Sequence, residues 1–311
     1  VLLLPVMNKS IRKNNKKFIE PSPEIFQSLI YLYSNGDLQG TLNKAKTLLK
    51  EYPDSPTLYN ICGITYSDLD KHEEALDHFY LALQINPNYA DCHYNKGNTL
   101  QACGNLGGAI KSFSKCISID SKHFLALNNK GILHRLNGEL DLAVQSLRKA
   151  IQIKPDYPDA HYNLGLTLEK LDLDKAIISY KKCIELRPNF GDAYNNLGNI
   201  LKNKGEIEAS ILRYIEAIRH KPDSPEIYCN LGYAFFEKHD FVNASEQFNY
   251  AIKINPNYDE PYSGLGECYL LMGQEAKGRE LIRQSNGAIR FSNDSGLIIL
   301  GSNINAAPPA T

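Results

Sequence analysis

Tryptophan is missing from the chain, methionine occurs only twice, and the charges nearly cancel: 34 lysines and arginines stand against 35 aspartates and glutamates. A net charge of −1 offers no general attraction to nucleic acid or to an anionic membrane. No apolar run approaches the roughly 20 residues that a membrane-spanning helix needs. The opening VLLLPVM is followed, not preceded, by positive charge, the reverse of a secretory signal. Paired cysteine spacing is absent too. The seven cysteines are odd in number, scattered and without CxxC, which argues against a disulfide framework and for a reducing, cytoplasmic setting. The chain begins with Val1, so Met7 is one candidate start and a longer parent chain the other. What is abundant is tyrosine, at 19 residues, within a hydrophobic content of 43%. That is enough to bury a continuous core.

The organisation is carried by glycines. Gly63, Gly97, Gly131, Gly165, Gly198, Gly232 and Gly266 are spaced 34, 34, 34, 33, 34 and 34 apart. Twelve residues after most of them stands a small residue: Ala75, Ala109, Ala143, Ser210, Ala244 or Gly278. Sixteen after stands a bulky one: Phe79, Phe113, Leu147, Tyr214 or Phe248. Nineteen after comes another small one, as at Ala82, Cys116, Ala150, Ala217 and Ala251, and Pro87, Pro155, Pro222 and Pro256 follow at twenty-four. This is the pattern of two antiparallel helices that approach closely at small residues and fill the adjoining groove with large ones. Gly104, Gly138, Gly205 and Gly273, seven after the anchor glycine, break the chain between the two helices. The segment 171–176, LDLDKA, is one residue short, so Ala176 and Pro188 come one place early.

With its anchors at these offsets, AYNNLGNILKNKGEIEASILRYIEAIRHKPDS (193–224) resembles the tetratricopeptide repeat family. The resemblance covers 22–286 as eight repeats: 22–55, 56–89, 90–123, 124–157, 158–190, 191–224, 225–258 and 259–286. It implies an all-α fold, a right-handed superhelical solenoid of stacked antiparallel helix pairs. Leu29 replaces the anchor glycine in the first repeat, and the last lacks its proline. Terminal repeats are expected to deviate because one face has no neighbour. In style the array is closest to the superhelix of the transferase that attaches O-linked N-acetylglucosamine, without a catalytic domain. Outside it, Lys9, Arg12, Lys13, Lys16 and Lys17 make residues 1–21 a basic arm, read as disordered, with contact to an acidic partner or to nucleic acid as the alternative. After Asn286-Gly287, the runs AIRF and LIIL flank turn residues and predict a small C-terminal β-hairpin within 287–311, which ends in the disordered tail NAAPPAT.

Nothing in this frame points to catalysis, a cofactor or a metal. GNLGG (104–108) follows no strand and precedes no GK[ST], so it is the turn between two helices. His93 and His161 stand four before their glycines, where Tyr59, Tyr194, Tyr228 and Tyr262 stand elsewhere, which reads as packing. Cys92-His93 has no second ligand pair for zinc. Cys116 and Cys183 occupy small-residue core positions. The flanks are too short to house a catalytic domain.

A second stripe runs along each first helix at six before, two before, one after and five after the glycine, one helical face. It reads Asp192, Asn196, Asn199 and Asn203 in one repeat, and Asp91, Asn95, Asn98 and Ala102 in another. In three more it reads Glu226, Asn230, Tyr233 and Glu237; Asp159, Asn163, Leu166 and Lys170; and Leu125, Asn129, Ile132 and Leu136. An asparagine thus recurs two before the glycine at 95, 129, 163, 196 and 230. The resemblance implies that first helices line a concave face, where such amides hold an extended peptide by its backbone. An amide suits this because it donates to C=O and accepts from N–H. The peptide-binding residues expected are therefore Asn95, Asn98, Asn129, Asn163, Asn196, Asn199, Asn203, Asn230 and Tyr233. The plainer alternative is that asparagine is common at this place for structural reasons. The acidic row Asp91, Asp159, Asp192, Glu226 and Glu260 either favours positive ligands or supports helix N-termini. Family members that clamp acidic chaperone tails need lysines where this chain has Tyr94 and Asn195, so that clamp is not expected.

The function expected is a non-enzymatic scaffold or adaptor that binds a protein or peptide, with no small-molecule substrate, no membrane and no nucleic acid. The alternative is the substrate-recruiting portion of an enzyme such as a glycosyltransferase, with its catalytic domain on a longer or separate chain.

Overall fold

The computed structural model describes residues 19–285 throughout, and beyond them the backbone of two strands, 288–292 and 296–300. Residues 1–18, which hold the basic arm's charges, and the NAAPPAT tail lie outside the described residues. The chain divides into two compact units, Val1–Asp156 and Tyr157–Thr311.

The first unit holds α1 (Pro23–Ser34), α2 (Leu38–Glu51), α3 (Pro56–Asp68), α4 (His72–Ile85), α5 (Ala90–Ala102), α6 (Leu106–Ile119), α7 (Phe124–Leu136) and α8 (Leu140–Ile153). The second holds α9 (Pro158–Leu168), α10 (Leu173–Leu186), α11 (Gly191–Asn203), α12 (Ile207–His220), α13 (Pro225–Glu237), α14 (Phe241–Ile254), α15 (Glu260–Leu271) and α16 (Glu275–Gln284). Beyond α16, β1 (Ala288–Ser292) and β2 (Gly296–Leu300) pair antiparallel, with Arg290 opposite Ile298. Within each unit every odd-numbered helix packs against the even-numbered one that follows it, and the pairs stack in sequence order.

Local chemistry explains why these stretches become helices and where they stop. Pro23, Pro56, Pro158 and Pro225 open first helices at a first-turn position that needs no N–H donor. First helices end on a left-handed residue: φ lies between 75° and 78° at Gly36, Gly104, Gly138, Gly205 and Gly273. Behind Gly36, the Asp37 amide reaches back to the Leu32 carbonyl at 3.0 Å, which satisfies a carbonyl the helix end leaves open. The next residue then caps the second helix. Asp37 accepts from the Gly40 amide, Asn105 from Gly108 and Asp240 from Asn243. In the shortened repeat no such left-handed residue occurs. Asp172 is extended at φ −161° and still caps α10 through the Lys175 amide.

From α3–α4 to α13–α14, the core of each helix pair is one large side chain laid on a glycine. Phe79, Phe113, Leu147, Tyr180, Tyr214 and Phe248 are fully buried. A β-carbon on the anchor glycine of each pair would stand 2.6–2.7 Å from that side chain. Burial of such a side chain contributes about 1.5–3 kcal/mol, and six such pairs repeated every 33 or 34 residues build a core that passes from one helix pair to the next within each unit.

Candidate interaction face

The face in question is formed by first helices. In the second unit α13 packs against both α11 and α15, and in the first α3 packs against α5. Side chains at equal register on these helices therefore become neighbours.

The recurring asparagine turns out to hold helices together. Asn95 is fully buried and its Nδ2 donates to Asn60 Oδ1 on α3 at 3.2 Å. Asn230 Nδ2 on α13 donates to Asn195 Oδ1 on α11 at 3.0 Å, and Asn195 Nδ2 to Asn196 Oδ1 at 3.4 Å. Asn196 Nδ2 in turn reaches the hydroxyls of Tyr162 on α9 and Tyr180 on α10, at 3.3 and 3.4 Å. Asn129 Nδ2 on α7 donates to Asn98 Oδ1 on α5 at 2.9 Å and accepts from Asn128. In three of these links the amide two before one glycine bonds the residue three before the previous glycine: Asn60, Asn195 or Tyr162.

This changes the standing of the expected peptide contacts. Asn95 has no surface to offer a ligand, because its amide lies inside the stack. Asn129, Asn196 and Asn230 are half-buried with their donors committed to neighbouring helices. Asn163 is half-buried on α9, its backbone carbonyl taken by the Thr167 hydroxyl. Asn98 accepts from Asn129. More capacity remains one turn further along. Asn199 accepts from the Tyr214 hydroxyl at 2.7 Å, and among the described residues nothing receives its Nδ2. Asn203 is exposed and bonds to nothing described. Tyr233 is half-buried, edge-on to Phe248 at 5.0 Å between ring centroids, with Lys202 5.8 Å from its ring centre. Lys202 also pairs with Glu237 at 3.4 Å. The residues five after the glycine are all exposed and chemically varied: Asp68, Ala102, Leu136, Lys170, Asn203, Glu237 and Leu271.

The acidic row sits in first turns, where carboxylates oppose the helix dipole favourably. Most of it is also compensated. Asp159 holds Arg187 through two 2.9 Å bonds, Asp192 pairs with Lys221 at 2.7 Å, and Asp91 lies 3.6 Å from His123. Glu226 accepts from the Ser224 hydroxyl, and Glu260 from that of Tyr258. Tyr94, at a position where a chaperone clamp would need lysine, is core. His93 does more than pack: its Nε2 lies 3.0 Å from the Pro87 carbonyl, and the Tyr262 hydroxyl makes the same link to Pro256.

The sequence pattern left one member of the stripe unexamined. Glu267 stands one after Gly266, the register of Asn199 and Tyr233, and counting from the last anchor glycine would have found it. It is half-buried, and burial raises its carboxyl above the usual value.

The other chemical candidates are structural in their surroundings. Cys116 and Cys183 are buried, and burial pushes the Cys183 thiol up to about 12 and Cys116 in the same direction. A nucleophilic cysteine needs the opposite shift. Gly104 and Asn105 form the turn and cap before α6. Among the described residues no cluster of three or more His, Cys, Asp or Glu side chains is placed to hold a metal ion, and no helix is long and apolar enough to cross a membrane. A cavity of about 530 Å³ opens at the turn between α12 and α13, but a single stretch, 220–226, walls it.

Tetratricopeptide repeat models match residues 56–89, 90–123, 158–190 and 225–258, and 179–211 besides; a TPR repeat model matches 133–172 and 198–239. The chain belongs to the tetratricopeptide repeat family. It is similar to Hsp70-Hsp90 organizing protein 3 of Arabidopsis thaliana, with 26% identity over 146 residues, 45% of this chain and 26% of the relative. It is also similar to the probable UDP-N-acetylglucosamine–peptide N-acetylglucosaminyltransferase SPINDLY of Petunia hybrida, with 30% identity over 145 residues, 44% of this chain and 16% of the relative. The match thus spans about a quarter or less of either relative. Among solved structures, the APC/C hetero-tetramer Cut9-Hcn1 aligns with a TM-score of 0.62 at 17% identity, over 77% of this chain and 48% of that one. That likeness concerns the fold alone.

Proposed function

We propose that the chain is a non-catalytic interaction scaffold whose first-helix face binds an extended segment of a partner protein. The carrying observation is a division of labour on that face. The amides of Asn95, Asn129, Asn196 and Asn230, two before their glycines, are committed to neighbouring helices, while the next two rows, represented by Asn199, Tyr233 and Asn203, keep polar and aromatic surface available. Amides that still have a free donor can bond a peptide backbone whatever its side chains, and the varied exposed row supplies selectivity. The organising role in the Arabidopsis relative's name supports a scaffold. Its partners do not transfer, because the lysines of a chaperone clamp are replaced by Tyr94 and Asn195.

The test is a screen of displayed random octapeptides against the full chain, followed by titration of a selected synthetic octapeptide. Asn199→Ala, Asn203→Ala and Tyr233→Ala together should weaken binding at least tenfold with the melting curve preserved. Each lost hydrogen bond removes about 0.5–1.5 kcal/mol, and an aromatic anchor more. Unchanged affinity in the triple variant, or a screen that enriches nothing, would refute the proposal.

A second function is favoured by the similarity to the SPINDLY protein: recruiting substrate for a glycosyltransferase encoded on a longer or separate chain. Co-purification of N-acetylglucosaminyltransferase activity with the chain from its native source would support it, and absence of such activity would count against it.

A further inference from the structure

The geometry points to a lysine or arginine of the bound segment seated between Tyr233 and Glu267. This rests on the peptide-binding function proposed above and adds what the segment must carry.

Three first helices of the second unit bring the residues one after the glycine to one face: Asn199 on α11, Tyr233 on α13 and Glu267 on α15. On this face the other carboxylates have partners. Glu237 pairs with Lys202, Asp192 with Lys221, Asp159 with Arg187, and Glu226 and Glu260 accept hydrogen bonds from the Ser224 and Tyr258 hydroxyls. Glu267 has neither an ion pair nor a hydrogen bond among the described residues, yet it is half withdrawn from water. Burial raises its carboxyl with no cation opposing that shift, and the negative fields of Glu260 and Glu267 both reach the Tyr233 hydroxyl. An uncompensated, partly desolvated carboxylate is costly and gains from an arriving cation.

Tyr233 supplies the second wall. Its ring is fixed edge-on to Phe248, and it already draws the Lys202 ammonium to 5.8 Å. The helix beyond offers no competing amide. Gly264 stands where other repeats carry asparagine, and a β-carbon there would meet the Phe248 ring at 2.5 Å. A lysine or arginine fits such a place, with its stem along the ring and its charged head at the carboxylate. One carboxylate beside a phenol is a poor donor set for a metal ion, which needs several convergent oxygens or nitrogens.

The experiment uses the octapeptide screen on the full chain and on Glu267→Gln. Octapeptides enriched by the native chain should carry lysine or arginine at one fixed position. A synthetic octapeptide from this set should bind about tenfold more weakly once that residue is replaced by norleucine. Glu267→Gln should show the same tenfold loss for the parent peptide and no further loss for the norleucine peptide. Glutamine keeps the side chain's size and removes an uncompensated charge, so the circular dichroism melting temperature should be no lower than that of the native chain. Equal affinity of the two peptides for the native chain, or a norleucine penalty of the same size in Glu267→Gln, would overturn the inference. Octapeptides enriched without a basic position would overturn it and leave the peptide-binding function standing. Enrichment of nothing would remove both.

Discussion

Tyr214 lies against Gly198 so closely that a β-carbon on the glycine would stand 2.7 Å from Tyr214 Cε1. The tyrosine is fully buried on α12 and its hydroxyl is held by Asn199. The ring therefore cannot swing away. In an open helix, glycine to alanine would gain about 1 kcal/mol. Here overpacking at about 1–3 kcal/mol opposes that gain. Gly198→Ala should lower the unfolding free energy, and Gly198→Leu should lower it more. The control is Gly107→Ala in the first turn of α6, where nothing lies within 4 Å of the added carbon. That variant should be neutral or more stable. Urea denaturation of the three variants checks the order, and an unshifted midpoint for Gly198→Leu would show that the ring yields.

The amide pair between α3 and α5 makes a second, opposite contrast. Removing the Asn95 side chain leaves Asn60 Oδ1 without its donor inside the stack, where Asn60 Nδ2 already has no partner. An unsatisfied buried polar group costs about 1–3 kcal/mol. Asn95→Ala should therefore melt several degrees lower, while Asn203→Ala, at an exposed position, should melt as the parent does. Equal melting temperatures would return Asn95 to a role outside the core.

These two contrasts mark what the sequence could and could not reveal. The helix pairs were legible because a glycine and the bulky residue sixteen later must touch, a constraint that leaves a fixed period in the chain. The asparagine two before the glycine was legible as a row, but its role was not. An amide can bond a peptide or a neighbouring helix with the same chemistry, and only the spacing of α3 from α5, or α11 from α13, decides. The signal lay one residue off the stripe, at Asn60 and Asn195, three before their glycines. Glu267 escaped for a different reason: its repeat has Gly264 in place of the amide, which broke the pattern used to trace the row.

The turn between paired helices offers a route to greater stability. Five glycines take the left-handed conformation there, but Asp70 and His239 occupy it with φ 56° and 62°. For a residue with a side chain this conformation costs roughly 1–2 kcal/mol, part of which glycine returns through its freer unfolded chain. Asp70→Gly and His239→Gly should each raise the unfolding free energy by about 0.5–1 kcal/mol on that balance. Gly205→Ala, at φ 78°, should lower it. Thermal melts of the three variants decide, and a loss of stability in both glycine variants would mean that the native side chains contribute more than the strain they carry.

Glu20 gives a test in pH. Its carboxylate lies at the start of α3, where it accepts from the hydroxyl of Ser55 and from the amide and hydroxyl of Thr57, at 3.4 and 2.8 Å for the latter two. Those bonds, with the helix dipole, favour the charged form. Burial opposes them and is the larger effect, so the carboxyl is raised above the ordinary 4.5. A raised carboxyl binds its proton more tightly in the folded chain than in the unfolded one. By linkage, its contribution to stability is fully present below the unfolded value and is lost as pH rises through the folded value. Glu20→Gln removes this titration but keeps a carbonyl to accept from Thr57. Urea unfolding at intervals between pH 7 and pH 4.5 should therefore show the native chain gaining stability relative to Glu20→Gln as the solution is acidified. A difference that stays flat would mean that the group titrates alike in both states. A native chain that loses ground on acidification would mean that the bonds from Ser55 and Thr57 outweigh burial, which would make Glu20 a charged cap on α3.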